Sequence, residues 1–422
     1  MPGCAESMHV TRRGLLGGAA SLSLWGCLPR AAMAGTRDPR MLTIILRGGL
    51  DGLALASPAA DPDLPRLRGK SAILASGDSA GLPLDGFFVL NPAMPFLHGL
   101  YQRREALLAH AVATPYRERS HFDGQDVLES GMSGVGRVET GWLNRALVSL
   151  EAAGKVNPAG LVKASHKGLA MGAVVPLVMR GGAPVLSWIP QTMSLPLRES
   201  TIARLMDLYA MSDPALAKAF ADGIALDKVA LADAAAGSTP KQAPPGPSGI
   251  MREFVDTAEA AARFLGSADG PRIGVLSYNG WDTHANEGAF KGQLANRLGG
   301  LDAAIKAFAD TIGPAWKDTV VVIVTEFGRT ARINGTDGTD HGTGTVALLV
   351  GGAVKGGRMI ADWPGLSETS LHQARDLKPT RDLRSVLKGV LRDHLGLPDR
   401  VLADAVFPGS GTIAGVDGLI SG

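Results

Sequence analysis

The segment MLTIILRGGLDG, residues 41–52, consists of an apolar run, Met41–Leu46, followed by a glycine-rich turn that carries a carboxylate. An apolar run of this length, without polar alternation, is typical of a strand buried on both faces of a sheet. Four similar runs follow along the chain, at Leu107–Val112, Ile273–Tyr278, Thr319–Val324 and Thr345–Val350. Helical patterns lie between them, at Gly141–Ala153, Ala289–Ile312 and Ser385–Leu395. This alternation predicts a three-layer α/β fold, a mostly parallel sheet with helices on both faces.

One stretch interrupts this pattern. Residues 234–249, AAAGSTPKQAPPGPSG, have the composition of a solvated linker. The region before it, about 165–233, is predicted to contain two strands and several helices, and the strand pattern resumes after the linker. We therefore expect a single domain over residues 35–422, in which residues 165–249 form a cap or insertion.

Charge and cysteine content exclude several classes of protein. The chain has a formal net charge of +2, and residues 1–34 account for it, so the rest is formally neutral. No basic tail or stripe indicates nucleic acid or an anionic membrane surface as a partner. Both cysteines, Cys4 and Cys27, lie within residues 1–34, so the remaining chain is expected to hold no disulfide. At 45% hydrophobic residues, the chain has enough apolar material for a large core.

The N-terminus has the three parts of a secretory signal. A pair of arginines, Arg12-Arg13, precedes an apolar stretch at residues 15–28 and a small-x-small cleavage site, Ala32-Met33-Ala34. Paired arginines indicate the twin-arginine (Tat) type, so we expect the Tat machinery as a partner and a periplasmic or secreted destination. The apolar stretch is shorter than the roughly 20 residues of a spanning helix, so no integral membrane span is expected after processing. Retention as an anchor and lipidation at Cys27 are the alternatives to cleavage after Ala34.

Polar side chains follow the predicted strands. In parallel α/β sheets, ligands bind at the carboxyl ends of the strands. Carboxylates, imidazoles and arginines are concentrated in five segments near these ends: RGGLDG (47–52), RERSHFD (117–123), NGWDTH (279–284), TEFGRT (325–330) and NGTDGTDHG (334–342). Such convergence from separate parts of the chain predicts an active site built on the sheet edge.

Each polar residue also has a purely structural interpretation. Asp51 between glycines fits a turn, Ser120 fits a helix cap and Glu326 fits an ion pair. The Asp282-x-His284 spacing is more specific, because side chains at i and i+2 of an extended segment point the same way and offer two metal ligands together. Several carboxylates at one sheet edge favour bound cations, because buried carboxylates need opposite charge nearby.

Five strings taken together resemble one family: LRGGLDG (46–52), RSHFDGQD (119–126), WDTH (281–284), TEFGRT (325–330) and GTDHG (338–342). This is the uncharacterised domain family numbered 1501, whose members look like distant relatives of the alkaline phosphatase and sulfatase superfamily. The resemblance covers about residues 40–410, and members of the family also carry a Tat leader. It implies an alkaline phosphatase-like core and a class of ester chemistry, but no particular substrate.

The resemblance also implies metal ligands, with divalent zinc, calcium, magnesium or manganese as the expected ion. One site would use Asp282, His284 and His341. A second would use Asp51 and Glu326, with Asp340 as a further candidate. The chain departs from the relatives in having Thr325-Glu326 where they usually carry adjacent Asp-His, and in the close spacing of Asp282 and His284. Both departures bear on the number and identity of the metal ions.

The catalytic roles implied by the resemblance centre on the second strand end. Ser120, at a helix start, would be the nucleophile, favoured there by the helix dipole and free amides. His121 beside it is an alternative working residue. Arg117, Arg119 or Arg329 would hold a non-bridging oxygen of the substrate.

These expectations describe an exported metal-dependent hydrolase of phosphate or sulfate esters, acting on a small-molecule or polymer ester. Two cations would polarise the ester oxygens and activate the attacking group. The alternative is a non-catalytic secreted binding or assembly protein with a vestigial or structural metal site. Metal content and ester turnover, measured on one sample, distinguish the two.

Overall fold

The computed structural model describes residues 37–154, 168–189 and 250–421, with isolated residues between 202 and 221. The chain divides into two compact units, Met1–Arg37 and Asp38–Gly422. The predicted signal peptide falls in the first unit and lies outside the described residues. Among the helices that are described, none combines the length and the apolar character needed to cross a membrane.

The second unit is built on a nine-stranded sheet. In chain order, the strands of this unit are β1 Arg40–Arg47, β2 Ala56–Ser57, β3 Leu82–Pro83, β4 Val89–Leu90, β5 Ala106–Ala113, β6 Gly168–Met171, β7 Val185–Trp188, β8 Ile273–Asn279, β9 Thr319–Thr325, β10 Thr345–Val350, β11 Arg358–Ile360 and β12 Arg381–Asp382. The large sheet has the order β11-β5-β10-β9-β1-β8-β6-β7, and β12 also pairs with β5. Only β10 among these strands runs antiparallel to its neighbours. The predicted mostly parallel sheet is therefore confirmed, and β2, β4 and β3 form a small separate sheet.

The described helices are α1 Gly52–Leu55, α2 Leu64–Arg68, α3 Pro95–Gln102, α4 His121–Ser130, α5 Trp142–Gly154, α6 Ile250–Gly266, α7 Gln293–Ile312, α8 Leu383–Leu395 and α9 Asp399–Val401. Short 3₁₀ turns occur at Gly69–Ser71, Leu177–Met179 and Gly313–Asp318, and a π turn at Leu402–Val406. Helices α5, α7 and α8 match the three sequence-predicted helices, with starts shifted by one to four residues.

The core lies in two layers, one on each face of the sheet. Alternate residues of β1 point to opposite faces. Leu42 and Ile44 pack in a cluster with apolar residues of α3, α6 and α7. Met41 and Ile45 pack on the other side with residues of α5 and α8. The predicted three-layer arrangement is confirmed, because β1 buries both of its faces.

The region expected to form a cap is in part a continuation of the sheet. Strand β6 pairs in parallel with β8, and β7 pairs in parallel with β6, so both strands extend the central sheet at one edge. They lie within residues 165–249, which the sequence analysis assigns to an insertion on the core. The linker at 234–249 lies outside the described residues.

Candidate metal centre

Five chain segments meet at one edge of the sheet. Strands β1, β5, β8 and β9 run in the same direction, so the segments after Arg47, Ala113, Asn279 and Thr325 leave from the same edge. Strand β10 is antiparallel to β9 and β5, so the segment that precedes Thr345 returns to this edge as well. The topology thus brings together the polar segments that the sequence analysis selected.

Asp282 lies at the centre of three imidazole rings. Its Oδ1 atom is 3.0 Å from Nε2 of His284 and 3.2 Å from Nε2 of His341. Its Oδ2 atom is 3.4 Å from Nε2 of His121. The side chain is 39% exposed, so the cluster is open to solvent on one side.

Each of the three rings is oriented through its other nitrogen. Nδ1 of His121 lies 2.8 Å from Oε1 of Glu326, and Nδ1 of His284 lies 3.2 Å from Oδ1 of Asp340. Nδ1 of His341 lies 2.8 Å from the main-chain oxygen of Arg119. Ionised carboxylates and carbonyls only accept hydrogen bonds, so each Nδ1 carries a proton. Each Nε2 faces the Asp282 carboxylate, to which it donates when the ring is charged; when the ring is neutral, its lone pair can bind a cation placed beside that carboxylate.

This arrangement fits a bound cation. Donation of the outer N–H to a carboxylate or a carbonyl is the usual support of a metal-ligating histidine. Nε2 of His121 is buried and makes no hydrogen bond. Nε2 of His284 and Nε2 of His341 lie 3.0 Å apart, where two lone pairs repel unless a proton or a cation lies between them. Ligand atoms of His121, Asp282 and His341 lie within 4.8 Å of one another, the spacing of a metal-binding group.

Glu326 positions His121, and both of its oxygens accept hydrogen bonds. Oε1 accepts hydrogen bonds from the Gly48 amide at 2.8 Å and from Gln125 Nε2 at 3.2 Å, besides that from His121. Oε2 accepts one from the Thr325 hydroxyl at 2.9 Å. Burial favours the neutral acid, but these hydrogen bonds outweigh it, so the pKa of Glu326 is lowered. The role of Glu326 as a metal ligand stays a prediction, and His121 lies between it and Asp282.

The protonation of the rings follows their surroundings. The hydrogen bond with Glu326 raises the pKa of His121, against the opposing effect of burial. Burial lowers the pKa of His341, and the positive charges of His121 and Arg329 lower it further. His341 is therefore the more readily neutral of these two ligands, the form that binds a cation.

Arg329 holds Asp282 in place. Its guanidinium is fully buried, and Nη1 donates to Oδ1 of Asp282 at 2.6 Å and to the Gly48 carbonyl at 3.2 Å. The remaining donors bond to Thr339, through its hydroxyl and its carbonyl. Burial raises the pKa of Asp282, but the pairing with Arg329 outweighs it and the pKa is lowered. Four of the five N–H groups of Arg329 thus have partners within the protein, and its expected role in holding a substrate oxygen stays a prediction.

Gly48 permits the close approach of β1 and the Asp282 segment. Its φ is +121°, and a Cβ there would lie 2.5 Å from the Asp282 amide nitrogen. Only glycine accepts both the conformation and the contact without displacement of the backbone. The glycine-rich turn of residues 47–52 thus sets the position of Asp282 as well as that of Glu326.

Asp51 lies outside this cluster of rings. It is buried, and its carboxylate forms two contacts with the guanidinium of Arg68, one of them at 3.0 Å. Oδ1 also accepts the amides of Leu53 at 3.1 Å and Ala54 at 3.3 Å, at the start of α1. Both carboxylates of the predicted second metal site thus have partners within the protein, and Asp51 caps a helix; their role as metal ligands stays a prediction.

Arg119 contacts the cluster of rings through its main-chain oxygen, whereas its side chain pairs elsewhere. Its guanidinium pairs with the buried carboxylate of Asp376 at 2.8 Å and donates to Gln373 at 2.6 Å, away from the role expected from the sequence. Its φ is +64°, a strained conformation for a non-glycine residue. The carbonyl of Arg119 also accepts the hydrogen bond from Nδ1 of His341. Backbone strain of this kind is often found at functional sites.

Ser120 is the N-cap residue of α4, directly before His121. Its hydroxyl makes no capping hydrogen bond, while its amide donates to the Tyr116 hydroxyl at 3.0 Å. The serine is half-buried. The hydroxyl is therefore not committed to the helix, and the nucleophile role of Ser120 stays a prediction.

The sequence analysis missed two positioning residues. Gln125 donates to Glu326 and accepts from Nη1 of Arg47 at 2.6 Å, linking the ends of β1 and β9 through α4. Gln125 lies one helical turn after His121 on α4, so helical spacing could have indicated from the sequence that the two side chains share a face. Arg68 carried no such signal, because it lies in an ordinary helix ending of α2.

The fold and the site define an α/β protein with a histidine–carboxylate cluster at the carboxyl edge of its sheet. The chain belongs to the family described as "Protein of unknown function (DUF1501)", whose model matches residues 104–406. The resemblance to this family is confirmed. Comparison with curated proteins gives no significant match.

Several solved structures resemble this chain. A protein in the alkaline phosphatase superfamily from Vibrio parahaemolyticus matches with 14% identity and a TM-score of 0.35, over 75% of this chain and 61% of its own. A phosphonate monoester hydrolase of Agrobacterium radiobacter matches with 13% identity and a TM-score of 0.32, over 86% and 74%. The C-terminal periplasmic domain of EptC from Escherichia coli, in complex with Zn, matches with 10% identity and a TM-score of 0.31, over 92% and 93%. This chain thus spans less than two thirds of the length of the Vibrio protein. At such low TM-scores the likeness says nothing about chemistry, which is inferred from the residues of this chain.

Proposed function

We propose that this protein is an exported, metal-dependent hydrolase of phosphate or sulfate esters. One observation carries the proposal: three imidazole Nε2 atoms converge on the Asp282 carboxylate, and each ring is held through Nδ1 by a separate oxygen acceptor. A set of histidines supported in this way is costly to assemble unless a cation uses it.

His121, Asp282 and His341 would hold the ion, with His284 beside them. Imidazole ligands suit zinc, whereas calcium, magnesium and manganese prefer oxygen ligands, so zinc is the first ion to test. When bound, such a cation polarises an ester oxygen and lowers the pKa of an attacking group.

The protein's own residues prepare the site. Glu326 keeps the proton on Nδ1 of His121, so that Nε2 is directed to the cluster. Arg329 holds the Asp282 carboxylate ionised and fixed. Ser120 opens α4 next to His121, with a hydroxyl that does not cap the helix, and it is our candidate nucleophile. A neutral serine is a weak nucleophile, so its proton must leave to a neighbouring base during attack.

Export is part of the proposal. It is supported by the Arg12-Arg13 pair, the short apolar stretch after it and the Ala32-Met33-Ala34 site. The part of the chain after residue 34 contains no cysteine, so an oxidising destination forms no disulfide in it.

The test is metal content and ester turnover on the same preparation. The full chain, expressed with metals available and purified from periplasm, should contain a stoichiometric divalent ion by elemental analysis. Asp282→Asn should lose that ion, while Asp310→Asn, a change at an exposed carboxylate on α7, should keep it. Wild type without a bound ion contradicts the metal centre. A bound ion without turnover of any phosphate or sulfate ester would favour the non-catalytic alternative.

A further inference from the structure

A cavity is bordered by Asp340, whose carboxylate also contacts His284 of the metal centre. Its volume is about 280 Å³, and it is lined by three arginines, Arg66, Arg332 and Arg375, together with Asp340 and neutral residues of the 330–334 and 371–375 segments. Glu368 also borders it. The three guanidinium groups come from α2, from the segment after β9 and from the segment before β12. Three segments that are far apart in the chain therefore each place an arginine at this cavity.

The cavity is joined to the metal centre by direct hydrogen bonds. Oδ1 of Asp340 accepts from Asn334 Nδ2 at 3.1 Å and from Nδ1 of His284 at 3.2 Å. Nη1 of Arg375 donates to the main-chain oxygen of His341 at 2.7 Å. A molecule bound in the cavity therefore lies one residue away from two of the imidazoles.

Some charged side chains of the cavity already have partners within the protein, and others do not. The Asp340 carboxylate is engaged by His284 and Asn334, and its burial effect on the pKa is outweighed by these hydrogen bonds, so its pKa is lowered. Arg66 pairs with Asp63, and Arg375 with the buried Asp376. Arg332 is exposed and forms no ion pair within the described part of the chain. The charges of Arg66 and Arg375 are thus balanced by Asp63 and Asp376, which leaves Arg332 as the cation of the cavity without an ion pair among the described residues. Each guanidinium also carries five N–H donors, more than its ion pair uses.

The wall of the cavity is backbone held under strain. Gln373 has a φ of +54° and Ala374 a φ of +51°, both in the left-handed region that non-glycine residues avoid. Ala374 lines the cavity, and Gln373 accepts a hydrogen bond from Arg119, whose carbonyl orients His341. Strain of this kind persists where the surrounding contacts impose it, commonly at binding sites.

We propose that this cavity is a subsite for a second anionic group (a phosphate, a sulfate or a carboxylate) on the same substrate whose ester is cleaved at the metal centre. The inference rests on the proposed function and narrows its substrate class to esters that carry at least two negative groups. Guanidinium groups recognise such anions through paired hydrogen bonds, which gives both affinity and orientation.

A binding measurement tests the subsite without relying on turnover. Inorganic sulfate is titrated by calorimetry at low ionic strength into the full chain carrying Asp282→Asn, which disables the metal centre. We expect saturable binding that the further changes Arg66→Gln and Arg332→Gln weaken by at least about tenfold. Arg400→Gln, a matched change at an arginine that is 92% exposed elsewhere, should leave binding unchanged. Absence of saturable binding, or equal binding with and without the two arginines, would overturn the subsite.

A turnover measurement distinguishes a group on the substrate from a free anion. Alkanediol bisphosphates of increasing length are compared with the matching alkyl monophosphates. At one chain length, wild type should prefer the bisphosphate in kcat/KM by at least about tenfold, and the Arg66→Gln, Arg332→Gln protein should lose that preference. Equal kcat/KM for both esters at every length would overturn the shared-substrate assignment. If no ester is cleaved while sulfate still binds, the proposed hydrolase function fails and the anion site remains.

Discussion

Nδ1 of His121 lies 2.8 Å from Oε1 of Glu326, although 205 positions separate the two residues in the chain. Glu326 is fully buried at the end of β9, and His121 is the first residue of α4. The carboxylate fixes both the tautomer and the direction of the ring, so that Nε2 faces Asp282. Glu326, which the sequence predicts to be a metal ligand, therefore lies behind His121 and orients its ring.

Glu326→Gln should lower metal affinity by about 10–100-fold, the usual cost of losing a carboxylate behind a ligating histidine. Affinity is measured by competition with a chelator of known strength. Glu118→Gln, at an exposed position two residues before Ser120, is the matched control and should have no effect. Unchanged affinity in Glu326→Gln would remove His121 from the ligand set.

Asp51→Asn should destabilise the fold and keep the metal. It leaves Arg68 buried without its counter-ion, and breaking a buried pair in this way costs about 3–5 kcal/mol. Unfolding by urea gives the change in stability, and elemental analysis gives the metal content. A variant that keeps its stability but loses the ion would restore Asp51 as a ligand.

Ser120→Ala should keep both the fold and the bound ion, and reduce turnover by several orders of magnitude on any ester that wild type cleaves. The reason is that the covalent route loses its attacking atom. Thermal unfolding and elemental analysis, run beside the rate measurement, separate lost chemistry from lost structure. A rate near that of wild type would mean that water attacks the ester directly.

Asp302→Asn should remove a pH dependence of stability that is unrelated to the metal centre. Asp302 is buried on α7, where it accepts the amides of Phe96 and Leu97, and burial raises its pKa from 3.8 to about 6. Because the folded-state pKa is the higher one, the folded state binds this proton more tightly. Its stabilising contribution is therefore complete below about pH 4 and is lost as the pH rises to about 6.

The difference between wild type and Asp302→Asn is the quantity to measure, by urea unfolding at several pH values. Over this window wild type should lose up to about 3 kcal/mol relative to the variant, from two pKa units at about 1.4 kcal/mol each. A constant difference across the window would show that the carboxyl group has an ordinary pKa.

Replacement of Arg12 and Arg13 by lysine should abolish export of the processed protein. Cell fractionation with N-terminal sequencing gives the destination and the cleavage site, which we expect after Ala34. Periplasmic accumulation at the wild-type level would exclude the twin-arginine route. A mature N-terminus other than Gly35 would exclude the predicted site.

The sheet could be predicted because the burial of its strands is visible in their amino-acid composition. A strand covered on both faces must be apolar at every position, so β1, β8, β9 and β10 stand out as continuous runs, and their observed ends differ from the predicted ones by at most one residue. Parallel direction then places the residues after each strand at one edge. The position of Asp282 and His284 follows from that rule, and His341 joins them because it precedes β10, which runs antiparallel to β9.

The sequence by itself therefore determined the layers, the edge and the residue types that meet there. Only the tertiary structure decided which group pairs with which: Glu326 with His121, Arg329 with Asp282, and Asp51 with Arg68. These choices depend on differences of a few ångströms between side chains from separate segments. Around Asp282 they depend on the close approach at Gly48 and on the positive φ of Arg119, a conformation that no local pattern of residues predicts.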